Sequence, residues 1–274
     1  MPQQVSTTKA SAARMRKYLF SRGADSLFAT LYDVKNFIAR FFREAFVPPF
    51  EWKEIISQCY NVGYRSLVLI SLTGFISGIV FTKQSRPSLA NFGATSWLPS
   101  LIGIAVIRAL APLITALVAA GKVGSNIGAE LGSMKVTEQI DAMEVSGTDP
   151  FKFLVVSRVL ATTLMMPILV VYAAFVGLAG SYLNVHTIEQ TSMITFIEHA
   201  FSQLSFLDFS SALIRAVIFG FTIGIAGSYT GFNATQGTQG VGRAANAAVV
   251  VSMFLIFLEE MVIVQLVNFI RDYQ

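Results

Sequence analysis

The chain has 274 residues, of which 54% are hydrophobic and 13% charged, about half the charged share of a soluble domain. A water-soluble fold of this size cannot hide so much apolar surface, so the composition excludes an ordinary soluble domain and makes lipid part of the solvent. The single cysteine, Cys59, excludes an internal disulfide framework, and the net charge of +4, with nine of the twenty basic residues before residue 54, points to anionic headgroups rather than nucleic acid.

Residues 1–24 read as a disordered basic tail without a cleavable secretory signal, since they are polar and lack an uninterrupted apolar core. Residues 25–49 predict an amphipathic helix lying in the membrane interface. There Leu27, Leu31, Val34, Ile38, Phe41 and Phe42 recur at helical spacing among Lys35, Arg40 and Arg43, and Pro48 and Pro49 stop the helix.

A helix needs about 20 apolar residues to cross a hydrocarbon core of about 30 Å. Five segments of the remaining domain, 50–274, meet that length: 60–82, 97–120, 153–180, 207–230 and 246–270. The fold class expected is therefore all-α and membrane-integral, an interfacial helix followed by five spans. Ser71, Thr73, Gly74, Ser77 and Gly78 supply small residues for close helix approach. Pro112 and Pro167 predict kinks, and no internal repeat is visible. With the N-terminus in the cytoplasm, thirteen basic residues fall on the cytoplasmic side and three outside, so positive charge orients the C-terminus outward. His186 and His199, thirteen residues apart, lack the spacing of a metal pair and read as surface residues, so no metal site is expected.

The segment between the second and third spans, 121–150, is the most informative. Glu138, Asp141 and Glu144 step by three, Leu131, Met134, Ile140 and Met143 supply apolar contacts, and Gly147 and Pro150 close the helix. A short amphipathic helix held between two spans suits docking into a groove of another protein. A solvated surface helix is the alternative.

Charges inside the spans form the second set. Counted at 1.5 Å per residue, Arg108, Arg215 and the Glu259/Glu260 pair lie about 11–17 Å from the outer edge, where an unpaired charge costs at least about 2.5–3.5 kcal/mol. Opposite charges in one layer read either as function or as structural pairing of helices. Glu259 and Glu260 are the expected partners of Arg215 and of Arg108. Arg158, near the cytoplasmic end of its span, is expected to snorkel.

The run Ala129-Glu-Leu-Gly-Ser-Met-Lys-Val-Thr-Glu-Gln-Ile-Asp-Ala-Met-Glu144 closely resembles the signature of the MlaE/YrbE permeases, the membrane subunits of lipid ABC transporters. The likeness covers about residues 50–270 and includes Gln58-Cys-Tyr-Asn-Val-Gly63, Arg108-x-Leu-x-Pro112 and Arg243-Ala-Ala-Asn246. The family pattern commonly has an acid after the arginine, where this chain has Ala109. The resemblance implies that residues 129–147 form a coupling helix, with Glu130, Met134, Glu138, Asp141 and Glu144 docking on a cytoplasmic ATPase dimer. It implies a second permease copy, an MCE-domain lipid-binding ring as partner, and a phospholipid substrate. A lipid cavity would be lined by Leu69, Leu72, Phe75, Ile76 and Ile79 of the first span, with Arg108 and Arg215 facing the phosphate or polar cavity. ATP and Mg belong to the partner, because this chain has no Gly-x-x-x-x-Gly-Lys-Ser/Thr loop. The chain itself is then no enzyme and binds no cofactor, and the expected location is a bacterial inner membrane. A non-transporting membrane scaffold and a small-solute ABC permease are the competing readings. An intramembrane enzyme has no catalytic cluster in its favour.

Overall fold

The computed structural model describes residues 28–48, 50–235 and 237–272 and contains helices but no strand among them. The tail expected to be disordered, and Leu27 of the interfacial helix, lie outside the described residues. Two units are distinguished, Met1–Pro48 and Pro49–Gln274. In the first, α1 spans 28–45. Its Arg40 pairs with Glu44 one turn on, at 2.7 Å, and Phe41 meets Phe42 edge to face.

The second unit contains five helices long and apolar enough to cross a membrane: Trp52–Asn91, Thr95–Val136, Phe151–Glu189, Phe206–Phe232 and Thr238–Asp272. Each is longer than its apolar stretch, because a helix satisfies its own backbone polar groups and continues past the hydrocarbon wherever the sequence permits. The first span joins α2 (Trp52–Val62) to α3 (Leu67–Asn91) through a 3₁₀ turn. The second is α4 (Leu98–Ala105), α5 (Ala111–Ala119) and α6 (Ser125–Val136), joined by π turns at Val106–Leu110 and Ala120–Gly124. After α7 (Gln139–Val145) a third π turn, Phe151–Val156, leads into α8 (Ser157–Glu189). Then follow α9 (Met193–Ser202), α10 (Phe206–Phe232) and α11 (Thr238–Asp272).

Helix α10 is the centre of the bundle: 61% of its most apolar window is buried, against 17% for α11, which is therefore peripheral. Phe219, Ile223, Met166, Leu169, Leu98 and Ile102 fill the core at 0–1% exposure. Helices α3 and α8 approach through small residues: a Cβ on Gly78 would stand 2.0 Å from the Gly177 carbonyl oxygen, so only glycine permits this spacing. Helix α10 is closed at its N-terminus by a capping box, in which the Ser205 side chain and Asp208 exchange hydrogen bonds with each other's backbone.

Candidate functional site

The intramembrane charges converge on three ion pairs, two on Asp208 in the first turn of α10 and one on Arg215 two turns further along. Asp208, fully buried, faces two guanidinium groups. Arg108 Nη2 donates to Oδ2 at 2.8 Å, with its Nε 2.7 Å from Oδ1, and Arg271 Nη2, on the last turn of α11, donates to Oδ1 at 2.6 Å. Two turns along α10, Arg215 Nη1 donates to Glu260 Oε1 of α11 at 2.7 Å and to the backbone carbonyl of Arg108 at 2.8 Å. Glu259 accepts a hydrogen bond from the Thr222 hydroxyl. Arg215 therefore has the expected kind of partner, but Arg108 does not pair with Glu259 or Glu260. Its acid is Asp208, which the Ser205-x-x-Asp208 spacing could have flagged, since capping fixes that carboxylate at the head of the span.

The second hydrogen bond of Arg215 has a sequence cause. Pro112 has no N–H to give the carbonyl four residues earlier, which is that of Arg108, and its ring crowds that oxygen. The π turn at Val106–Leu110 makes room, and Arg215 supplies the missing donor. Arg215 is thus 4% exposed and committed to protein groups, whereas the Arg108 side chain remains 26% exposed. Of the two arginines assigned to a polar cavity, only Arg108 has surface left to offer.

Arg158 does not snorkel. It is 2% exposed, donates through Nη1 to the Leu154 carbonyl at 2.9 Å and through Nη2 to Glu130 Oε1 at 2.8 Å. The close packing of α8 on α10 walls it in, and an acid 28 residues away in sequence provides the counter-charge that lipid headgroups would otherwise give. Glu130, assigned to docking, is turned to this pair, although 53% of its side chain is exposed.

The signature segment is two helices, not one. Its first part, through Val136, is a direct continuation of the second span, and Glu138 then adopts left-handed backbone geometry (φ 59°) before α7. Glu138, Asp141 and Glu144 are all exposed, with Asp141 held by Lys135 Nζ at 2.9 Å. The apolar residues expected to contribute to docking turn inward instead. Leu131 and Ile140 are buried at 0% and 2%, and Met134 and Met143 pack on the chain's own core. The apolar side chain presented outward is Val145, at 91% exposure, which the periodicity did not single out.

Among the assigned cavity residues, Leu69, Leu72 and Ile76 are 38–57% exposed on the outer face of α3, and Phe75 and Ile79 are half-buried. None of them lines the internal crevice beside them, where Thr73, Gly74, Ser77 and Gly78 meet Val106, Leu110 and Gly177 around about 10 Å³. That is scarcely one water, which needs roughly 10–15 Å³ by this measure. Among the described residues, this crevice beside the assigned wall is therefore too small for an acyl chain.

Five apolar helices, with charges paired within them, define a polytopic membrane protein. Residues 55–266 match the family described as Permease MlaE. The chain is 37% identical over 220 residues to a probable ABC transporter permease protein of Rickettsia prowazekii, covering 80% of this chain and 85% of that one. A probable ABC transporter permease protein of Synechocystis is 37% identical over 209 residues, with coverage of 75% and 78%. The Arabidopsis thaliana protein TRIGALACTOSYLDIACYLGLYCEROL 1, chloroplastic, is 34% identical over 212 residues, 77% of this chain and 61% of that protein. The chain belongs to the MlaE permease family, and it is an ABC-transporter permease, a transmembrane component.

Proposed function

We propose that the chain moves phospholipid or a related lipid, working as one of two permease copies with a cytoplasmic ATPase dimer and an MCE-domain lipid-binding partner, in a bacterial inner membrane. The observation that carries this reading is the juxtaposition of an exposed apolar wall with a charged layer. Leu69, Leu72 and Ile76 face outward from α3, and the 106–110 turn that bears the partly exposed Arg108 packs beside residues 73–78 of the same helix. A long apolar surface ending at guanidinium groups matches an amphiphile with an anionic head. It does not match a small polar solute, which would need a wet, polar-lined path. The wall faces outward and the crevice beside it is too small for an acyl chain, which supports a second copy supplying the opposite side. The Arabidopsis relative bears the name of a glycolipid, in keeping with a lipid substrate.

Docking of the ATPase is assigned to the exposed face of the signature segment: Glu138, Asp141, Glu144 and Val145, with Glu130 and Met134 bracing it from within. Glu138→Lys with Asp141→Lys reverses two exposed charges, turning attraction into repulsion across a docking surface. The decisive assay is reconstitution with the ATPase in vesicles, measuring transfer of a fluorescent phospholipid and lipid-dependent ATP hydrolysis. Transfer that requires ATP and falls in the double charge reversal is the expected result. ATP hydrolysis indifferent to phospholipid but stimulated by a small solute would overturn the lipid reading, and no transport of either would leave the scaffold.

A further inference from the structure

A second polar site lies at the end of the bundle that carries the signature segment, well away from the Arg108–Asp208 layer. The C-terminal half of α2 and the 3₁₀ turn after it meet the second π turn of span 2, Ala120–Gly124, and the first half of α6 around a cavity of about 230 Å³, room for many waters where one needs roughly 10–15 Å³. Its polar lining comes from Gln58, Asn61 and Arg65 on one wall and Lys122, Asn126 and Glu130 on the other.

The charge in this cavity is one-sided. Glu130 is answered by Arg158 at 2.8 Å, so its negative charge is spent. Among the described residues Lys122 donates only to the Arg65 backbone carbonyl and has no acidic partner, which leaves its charge uncompensated. The Arg65 guanidinium and the Asn61 and Asn126 amides have no side-chain hydrogen bond among the described residues. Gln58 is 7% exposed, fixed by Glu54 at 2.8 Å, and contributes a built wall rather than a mobile surface chain. Two cations and two amides without side-chain hydrogen bonds among the described residues, lining one polar cavity, form a receptor for a tetrahedral oxyanion, since a guanidinium fork and an ammonium together match phosphate oxygens.

The surroundings indicate where such an anion comes from. Tyr60 and Tyr64 flank Asn61 and Arg65 in sequence, stack at 5.0 Å, and are 54% and 61% exposed; Trp52 on the same helix is 63% exposed. Exposed Tyr and Trp at the end of an apolar span mark the headgroup level of a bilayer. We propose that this cavity binds a phosphate group, supplied by the headgroup of an anionic phospholipid in the adjoining leaflet, and that the bound lipid ties the first span to the segment of span 2 leading into the signature. The site is independent of the transport reading: its occupant has no need to be the transported lipid.

The test uses the full-length protein in detergent micelles. It measures thermal stability against added dioleoyl phosphatidylglycerol, dioleoyl phosphatidylcholine and inorganic phosphate, in the wild type, in Arg65→Gln with Lys122→Gln, and in Asn126→Asp. Arg65 and Asn126 are exposed, and Asn126→Asp places a negative charge in the cavity without removing any packing, so it remains informative if the double variant folds poorly. Protection by phosphatidylglycerol at low concentration, weakened about tenfold for each cation removed, the size of one charge-assisted hydrogen bond, and weakened likewise in Asn126→Asp, is the expected result. Protection by inorganic phosphate alone would keep the anion site and overturn its lipid source. Equal protection by phosphatidylcholine, or phosphatidylglycerol protection unchanged in both variants, would overturn the proposal, whatever lipid-transfer assays show.

Discussion

The bond from Arg215 to the Arg108 carbonyl predicts a rescue in three stages. Arg215→Leu removes the counter-charge of Glu260, whose side chain is 15% exposed, and also the donor to a carbonyl that Pro112 leaves unserved. Stranding a buried charge costs about 3–5 kcal/mol, and an unsatisfied buried acceptor adds about 1–3 kcal/mol. Adding Glu260→Leu should recover the charge component, because removing both partners of a buried pair is often neutral. The carbonyl component should persist. Adding Pro112→Ala to that pair restores a backbone N–H four residues beyond Arg108 and should recover most of the rest, whereas Pro112→Ala alone should gain nothing while Arg215 is in place. Thermal unfolding of the series in nanodiscs measures this, at roughly 2–4 °C per kcal/mol for a chain of this size, and the coupling is taken from the mutant cycle. A double variant as stable as the wild type, or no added benefit from Pro112→Ala in its background, would refute the reasoning.

The Arg158–Glu130 pair should respond asymmetrically. Glu130→Gln strands a guanidinium that is 2% exposed and should cost about 3 kcal/mol or more. Arg158→Met leaves an acid already half in water and should cost under about 1.5 kcal/mol; equal losses in a melting series would contradict this. Gly78→Ala should lower stability by about 1–3 kcal/mol, because its Cβ would meet the Gly177 carbonyl at 2.0 Å, while Ala90→Gly on the same helix provides a comparison outside that contact. Glu138→Gly should raise the melting temperature slightly, since a non-glycine residue in left-handed geometry costs about 1–2 kcal/mol, and it separates backbone strain from any loss of ATPase binding.

The membrane spans were legible because length and hydropathy are local properties that the bilayer enforces. Their ends were less so: the first apolar stretch, 60–82, sits inside a helical rod from Trp52 to Asn91, since helix continues where hydrophobicity has stopped. Helix α9 is too short to span and so carries no hydropathy signal, although Ser192 at its N-cap and Ile194, Ile197 and Phe201 along it form an ordinary amphipathic pattern. For the charges, counting depth sets Arg215 in one layer with Glu259 and Glu260 but cannot choose between them, because it gives no direction around a helix. Arg158 was therefore expected to reach for headgroups when it faces Glu130, and Arg108 was paired with the wrong acids because Asp208 stands at the lip of its span. The signature was legible as a segment but not as two helices, because nothing in Thr137-Glu138 announces a left-handed turn.

Span 2 has a mechanical consequence. From Thr95 to Val136 its 42 residues form one continuous helix, about 60 Å long at 1.5 Å per residue, roughly twice the hydrocarbon thickness. Arg108 and Glu130 are mounted on the same shaft, about 33 Å apart, with no flexible chain between them. The joint comes only after Glu130, at Glu138. Whatever grips the protruding end of this shaft therefore loads the charged layer directly, as a handle loads a blade.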